Sequence, residues 1–318
     1  MNRRTMCVGV LLVLAAAVAA AASARAAAAP DKNKVPSAEE VRKMTEAAPA
    51  QARVRPEKPR RLLVFSVSPG FWHDSIPYGK KAAEILGAKT GAYEAVVSDD
   101  LDNFEPGNLR KFDAVFFNNT NNELFLPENY GKLAGAEKEA ADKRDAALKK
   151  SFGEWLAGGR GLAITHAGIA SFRQWPEFGE IGGARFDGHP LGQRTVSVKV
   201  DEPSYPLAAA FKSPTFDIRD EIYQVTDPYS RQTLRVFLSL DAAKTDTSAK
   251  GINRKDGDFG MAWVKSYGQG RVFYSAFGHV HDLFWNPMIL QHWLDGFQFV
   301  LGDLKADPTP SAKASAGK

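Results

Sequence analysis

Cysteine is nearly missing from this chain: among 318 residues the only thiol is Cys7. A disulfide framework, a thiolate nucleophile and a Cys-based zinc site are therefore excluded, which suits an oxidising compartment. Long hydrophobic runs are scarce too. The one candidate, Met6 to Ala22, is shorter than the ~20 residues a spanning helix needs. Arg3 and Arg4 precede it and Ala24-Arg25-Ala26 follows as a small-x-small cleavage site, so residues 1–26 are expected to be a secretory signal peptide. Export to the periplasm or beyond the cell follows as the expected localisation. An excess of one charge is also lacking. Without Arg3, Arg4 and Arg25 the 41 basic residues become 38 against 37 acidic ones, a net charge of +1. Such a balance offers no broad attraction for phosphate backbones, which argues against a nucleic-acid partner. With 27 Gly and 18 Pro, about 14% of the chain against a ~12% background, collagenous and disordered classes are excluded as well.

What is present reads as one α/β domain at 60–304. Residues 27–59 are Ala-, Pro- and Lys-rich and are expected to form a flexible linker, with a transient helix at Ser37–Ala47 opening on Ser-Ala-Glu-Glu. Residues 305–318 are expected to be a disordered tail. Between them, Arg61–Ser68 is a continuous apolar run expected to be a strand buried on both faces, followed by a Pro69-Gly70 turn and helical spacing over Ser75–Leu86. Further strands are expected at Tyr93–Val97, Phe112–Asn118 and Gly161–Thr165, with a helix over 134–156 stopped by Gly158-Gly159. Strands alternating with helices imply a parallel sheet with its ligand crevice at the carboxyl ends of the strands. The second half is richer in strands: Thr195–Val200, Thr215–Ile218, Glu221–Val225, Val236–Leu240, Met261–Ser266 and Arg271–Ala276. Tyr267-Gly-Gln-Gly270 signals a hairpin, and Ile289–Leu301 a closing helix.

Five of six histidines lie beside glycine, aromatics or carboxylates near expected strand ends. His279 and His281 form an H-x-H pair, which in an extended segment projects to one side and can share an ion or a substrate. His166 ends the 161–165 strand in a tight small-residue turn, the layout that exposes a nucleophile in elbow-type hydrolases and amidotransferases. With no thiol available, glutamine hydrolysis through a cysteine thioester is excluded. Asp220 and Glu221 point to opposite faces of a strand, so one enters the crevice, and Glu221 is the choice for a metal ligand or general base. His292 lies mid-helix and is read as structural. Aromatics at Phe71, Trp72, Trp175, Tyr223, Phe284 and Trp285 accompany the polar residues, and their rings could stack on a sugar.

Six blocks in order, Pro69-Gly-Phe-Trp-His-Asp-Ser75, Phe112-Asp-Ala-Val-Phe-Phe-Asn-Asn-Thr120, Gly161-Leu-Ala-Ile-Thr-His-Ala-Gly168, Phe186-Asp-Gly-His-Pro190, Arg219-Asp-Glu-Ile-Tyr223 and Gly270–Asp282, resemble the ThuA-like (trehalose utilisation) family. The resemblance runs from about Arg61 to Leu301. It implies a flavodoxin-like three-layer α/β sandwich with a mostly parallel central sheet, related to class I glutamine amidotransferases but without their catalytic cysteine. It also implies a role in metabolism of trehalose or related glycosides through 3-keto-sugar intermediates. Where the family commonly has Glu, Asp74 and Asp282 stand after His73 and His281, one methylene shorter. The Asn121–Lys150 stretch is longer than expected, a lid or an extended surface helix.

The expectation is therefore an exported enzyme acting on a sugar or glycoside. His73, His166 and Glu221 are its catalytic candidates. Trp72, Asn118, Asn119, Asp187, His189 and Tyr223 are the substrate-binding candidates. His166, His279, His281 and Glu221 would hold a divalent metal, zinc or manganese, which suits several imidazoles with a carboxylate. No nucleotide cofactor is expected. A non-catalytic carbohydrate-binding module and a scaffold domain are the alternatives. A shared site requires His166, His279 and Glu221 within ~10 Å of one another, because zinc ligands lie only about 2 Å from the ion.

Overall fold

The computed structural model describes residues 32 and 34–316; the expected signal peptide lies outside the described residues. The first element, α1 (Ala38–Ala47), opens on Ser37, whose hydroxyl accepts from the Glu40 amide while the Glu40 carboxylate accepts from the Ser37 amide. Two of the unpaired donors at a helix start are satisfied reciprocally. Strands and helices then alternate: β1 (Arg61–Phe65), α2 (Ile76–Thr90), β2 (Glu94–Val97), the single turn α3 (Pro106–Leu109), β3 (Ala114–Asn118), α4 (Gly135–Ala157) and β4 (Gly161–Thr165). After α5 (Pro176–Gly182) come β5 (Arg185–Phe186), β6 (Gln193–Val200), β7 (Thr215–Glu221), β8 (Val225–Thr226), β9 (Arg235–Leu240), β10 (Gly260–Tyr267) and β11 (Gly270–Ser275). The helices α6 (Pro287–Leu301) and α7 (Ser311–Ala316) close the chain.

Nine strands form one sheet in the order β2-β1-β3-β4-β11-β10-β9-β6-β7, and β5 pairs with β8 apart from it. The first five strands are parallel, and the remaining four are each antiparallel to their neighbour. Adjacent residues of β3 show why its sequence is apolar throughout. Phe116 packs on Phe297 of α6 with ring centroids 4.8 Å apart, and Phe117 on Phe152 of α4 at 5.5 Å. Successive side chains of a strand face opposite sides, so β3 lies between two helical layers.

The topology places the site. β1, β4 and β11 all end at one edge. Four antiparallel steps from β11 return β7 to the same direction, so Glu221, its last residue, reaches that edge too. Were the sheet flat, five steps of about 4.8 Å would hold β7 roughly 24 Å from β4. The Glu221 carboxylate lies 3.4 Å from His166 instead. The antiparallel end therefore curls back over the parallel half; within it, the pairing of β10 with β9 shifts register between Gly260 and Trp263.

Three expectations are corrected. The described part of 27–59 is packed: Met44 is fully buried, and Arg53 donates to both carboxylate oxygens of the buried Asp295 at 2.9 and 2.6 Å. Low hydrophobicity hid a segment that is held by a helix cap and ion pairs. The described part of 305–318 is likewise anchored, where Ser311 Oγ accepts from the Val236 amide at 2.9 Å and Arg235 donates to the Thr309 carbonyl at 3.2 Å. The two strands expected at 215–218 and 221–225 are a single strand ending at Glu221, with β8 beyond it. Residues 135–157 form an extended surface helix that buries only Leu148, Ser151, Phe152, Gly153 and Leu156.

Candidate functional site

Three loops and one strand end converge at the carboxyl edge. His73 arrives on the segment between β1 and α2, His166 directly after β4, His279 after β11 and Glu221 at the end of β7. One ligand atom from each of the four lies within 4.8 Å of every other. The tightest three are nearly equidistant: His166 Nε2 to His279 Nδ1 is 3.3 Å, and each of these nitrogens is 3.4 Å from Glu221 Oε2. Those separations are long for hydrogen bonds. They match the ~3.3–3.4 Å edge of a tetrahedron whose corners lie about 2.0–2.1 Å from a central ion.

Local structure sets these atoms. His166 adopts a left-handed backbone, φ 43°, as do Asn119 at 53° and Asn122 at 59°; such strain in side-chain-bearing residues clusters at functional sites. The His166 ring is fully buried, with Nδ1 3.1 Å from the Ala276 carbonyl. A carbonyl only accepts, so in the neutral ring Nδ1 carries the hydrogen and the Nε2 lone pair faces the cluster. His279 is held by its backbone. The buried Asp220 carboxylate accepts from the amides of Gly278, His279 and Val280 at 2.9, 3.1 and 3.0 Å. Gly278 itself has φ 145°, a conformation open to glycine.

The electrostatics suit a cation. Burial, then the neighbouring His166 and His279, push His73 down to about 3, leaving it neutral at pH 7. Burial acts to raise Glu221, but contact with His166 and the charges of His279, His166 and His189 hold it at about 2. His279 is lowered by burial and by His166. The site thus presents one imidazole, His73, kept neutral by burial beside an ionised carboxylate, donors that suit a divalent ion. Beside it opens a cleft of about 380 Å3, with Phe71, Arg173, Phe186, His189 and Tyr223 in its walls. The Tyr223 ring lies tilted against His166, 4.2 Å between ring centroids, with its hydroxyl 3.5 Å from His73 Nε2. Burial raises its pKa far above the ordinary phenol value, so the hydroxyl stays protonated. A wider groove of about 550 Å3 includes Arg235 and Arg271 at the opposite edge of the sheet. Arg235 is already paired with Glu202 and Asp307 there.

A sequence model of the ThuA family, described as trehalose utilisation, matches residues 61–300. The chain belongs to the ThuA family. Among solved structures it is similar to a ThuA-like protein from Bacteroides uniformis ATCC 8492, with a TM-score of 0.60 at 19% identity over 81% of this chain and 98% of that one. It is also similar to a ThuA-like protein from Parabacteroides merdae ATCC 43184, with a TM-score of 0.51 at 14% identity over 80% and 96%. At such identities the likeness shows the fold, which is the flavodoxin-like, amidotransferase-like α/β architecture expected. No curated protein matches the chain.

On this ThuA scaffold the structure brings together His73, His166, Glu221, His279, His189 and Tyr223. His189 Nδ1 is 3.4 Å from Glu221 Oε1 at the half-exposed mouth. It separates His281, a correction to the H-x-H expectation. His281 stacks on Tyr78 at 4.0 Å and its Nε2 lies 3.2 Å from Asp74, because the chain turns into a 3-10 helix at His281 and does not stay extended. Asn118 and Asn119 are buried scaffold. Asn118 donates to Ser66 Oγ and the Ile76 carbonyl, and Asn119 to Ser75 Oγ and the Gly278 carbonyl. Asp187 accepts from Asn253, and Trp72 lies under Lys32; neither lines the cleft. Phe284 is buried core. Arg173 and the placing role of Asp220 were not legible: the first belongs to none of the blocks, and the partners of the second are 58 to 60 residues away.

Among the described residues no helix is long and apolar enough to cross a membrane.

Proposed function

We propose that this ThuA-family protein is an exported enzyme of trehalose or related glycoside metabolism, acting on a glycoside or 3-keto-sugar at a centre that holds one divalent ion, zinc or manganese. The observation that carries it is the 3.3–3.4 Å triangle of His166 Nε2, His279 Nδ1 and Glu221 Oε2 beside a 380 Å3 cleft. The family's trehalose description supports the sugar, and the pattern of residues 1–26 supports export.

His166, His279 and Glu221 would hold the ion, with His73 as the fourth donor of the cluster. An ion held there would supply Lewis-acid chemistry, to polarise a sugar carbonyl or acidify a water. The chain's own groups do the rest. Asp220 fixes the backbone that carries His279, and Ala276 fixes the His166 tautomer. The Tyr223 hydroxyl, protonated at neutral pH, donates to a substrate oxygen. His189, half exposed and in contact with Glu221, would meet a substrate hydroxyl at the mouth. Phe71 and Phe186 line the cleft, where aromatic rings suit the apolar face of a sugar.

Elemental analysis of the mature protein, purified without a histidine tag, tests this beside His279→Ala, Glu221→Ala and His281→Ala. About one ion per chain is expected in the parent and in His281→Ala, with loss in the other two. Chelation should abolish turnover of glycosides or 3-keto-glycosides. No ion in the parent after addition of zinc or manganese would sink the metal centre; an ion without turnover would leave a carbohydrate-binding module.

A further inference from the structure

A second compartment of about 190 Å3 adjoins the cleft. The two share Ala170, Arg173 and Phe186, so these side chains form the partition between them. The Arg173 guanidinium lies over the Phe186 ring, 5.8 Å from its centroid. Behind it the wall is aromatic, with Phe172, Phe178 and Trp175. Its charge is of one sign: Arg173 and Arg185 line the compartment and no carboxylate does. Among the described residues neither arginine has an ion-pair partner. Arg173 has only its contact with Phe186, and Arg185 donates only to the Pro176 carbonyl, at 3.2 Å. The one carboxylate of the adjoining cleft, Glu221, is committed to imidazoles. Two exposed guanidiniums beside an aromatic wall have the chemistry of a carboxylate or phosphate site, since each can give paired N–H donors to such an anion.

We propose that this compartment is an anion subsite, in which Arg173 and Arg185 hold a carboxylate or phosphate on the part of the substrate away from the reacting carbon. The inference rests on the sugar site argued above and names its class of substrate: anionic glycosides. The partition sets the order of parts, with the reacting ring at the His/Glu centre and the charged unit beyond Arg173. Specificity between charged and neutral glycosides then resides in the two arginines and not in the histidines.

Calorimetric titration of the mature chain with methyl β-glucuronide, methyl β-glucoside and glucose 6-phosphate tests it. One of the two anions is expected to bind about tenfold or more tightly than the neutral glucoside, and which one does so distinguishes a carboxylate from a phosphate site. In an Arg185→Gln variant, shown by circular dichroism to be folded and altered only in the second compartment, that gap should narrow while glucoside binding persists. Glucoside binding as tight as both anions, no binding of either anion, or a preference undiminished in Arg185→Gln would each overturn the subsite. Metal content of the same samples keeps the two claims apart: anion preference without an ion removes only the metal centre, and an ion without anion preference removes only the subsite.

Discussion

His279 and His292 have the same side chain and opposite uses, and their surroundings decide which. His279 lies at a cleft beside a carboxylate, whereas His292 is fully buried among Phe211, Phe237, Phe273 and Phe277, its Nε2 3.1 Å from Ser275 Oγ. Burial pushes His292 down to about 3 from an ordinary 6.5. In the unfolded chain the ring gains its proton near pH 6.5; in the fold it does not until about pH 3. Below 6.5 the unfolded state alone binds the proton, so stability falls with pH by about 1.4 kcal/mol per unit until the lower value is reached. Two units down, at pH 4.5, the loss is about 2–3 kcal/mol. A His292→Gln variant, which keeps a polar partner for Ser275, is therefore expected to gain about that much relative to the parent between pH 7 and 4.5. Urea unfolding at the two pH values checks it; an unchanged gap would show that His292 does not resist protonation in the fold.

At the scale of elements, α6 shows how close packing overrides propensity. Gly296 lies mid-helix, and a methyl group added there would meet the Phe273 ring of β11 at 2.2 Å. On an exposed helix Gly→Ala would stabilise by about 1 kcal/mol. Here the ring and helix must separate, so Gly296→Ala is expected to destabilise by roughly 1–3 kcal/mol, read as a lower urea midpoint with an unchanged slope. A raised midpoint would mean that the sheet yields easily at Phe273. The same element pair separates what sequence shows from what it hides. The apolar stripe Leu290, Trp293, Leu294 and Phe297 falls on α6 as expected, although the helix is buried on nearly every side, and β4 falls on the expected 161–165, since both follow from local periodicity. Glu221 was legible because alternation along a strand admits only one of two adjacent carboxylates to the crevice. The fate of His281 was not, because an H-x-H spacing says nothing of the turn that begins at its second histidine. Nor could any local pattern show that β7 curls back to β4, a consequence of distant strand pairings.

For the molecule as a whole, residues 34–59 decide whether the domain begins at its first strand. A tether would be removable without cost. The structure instead uses this segment to cover the helical layer: Met44 is fully buried, Tyr78 donates to Glu40 at 2.7 Å, and Gln298 donates to the Val54 carbonyl at 2.6 Å. Asp295, with no exposed surface, has Arg53 as its ion-pair partner. Removing one partner of a buried pair typically costs 3–5 kcal/mol. Partial exposure of Arg53 lowers that figure, while the uncovered apolar surface under Met44 adds to it. A chain starting at Arg60 is therefore expected to be about 3 kcal/mol or more less stable than one starting at Lys32, with Arg53→Met in the longer chain reproducing part of the loss. Denaturant unfolding of the three proteins side by side measures this. Equal midpoints would mean that the segment is a tether after all, and that the domain is complete from its first strand.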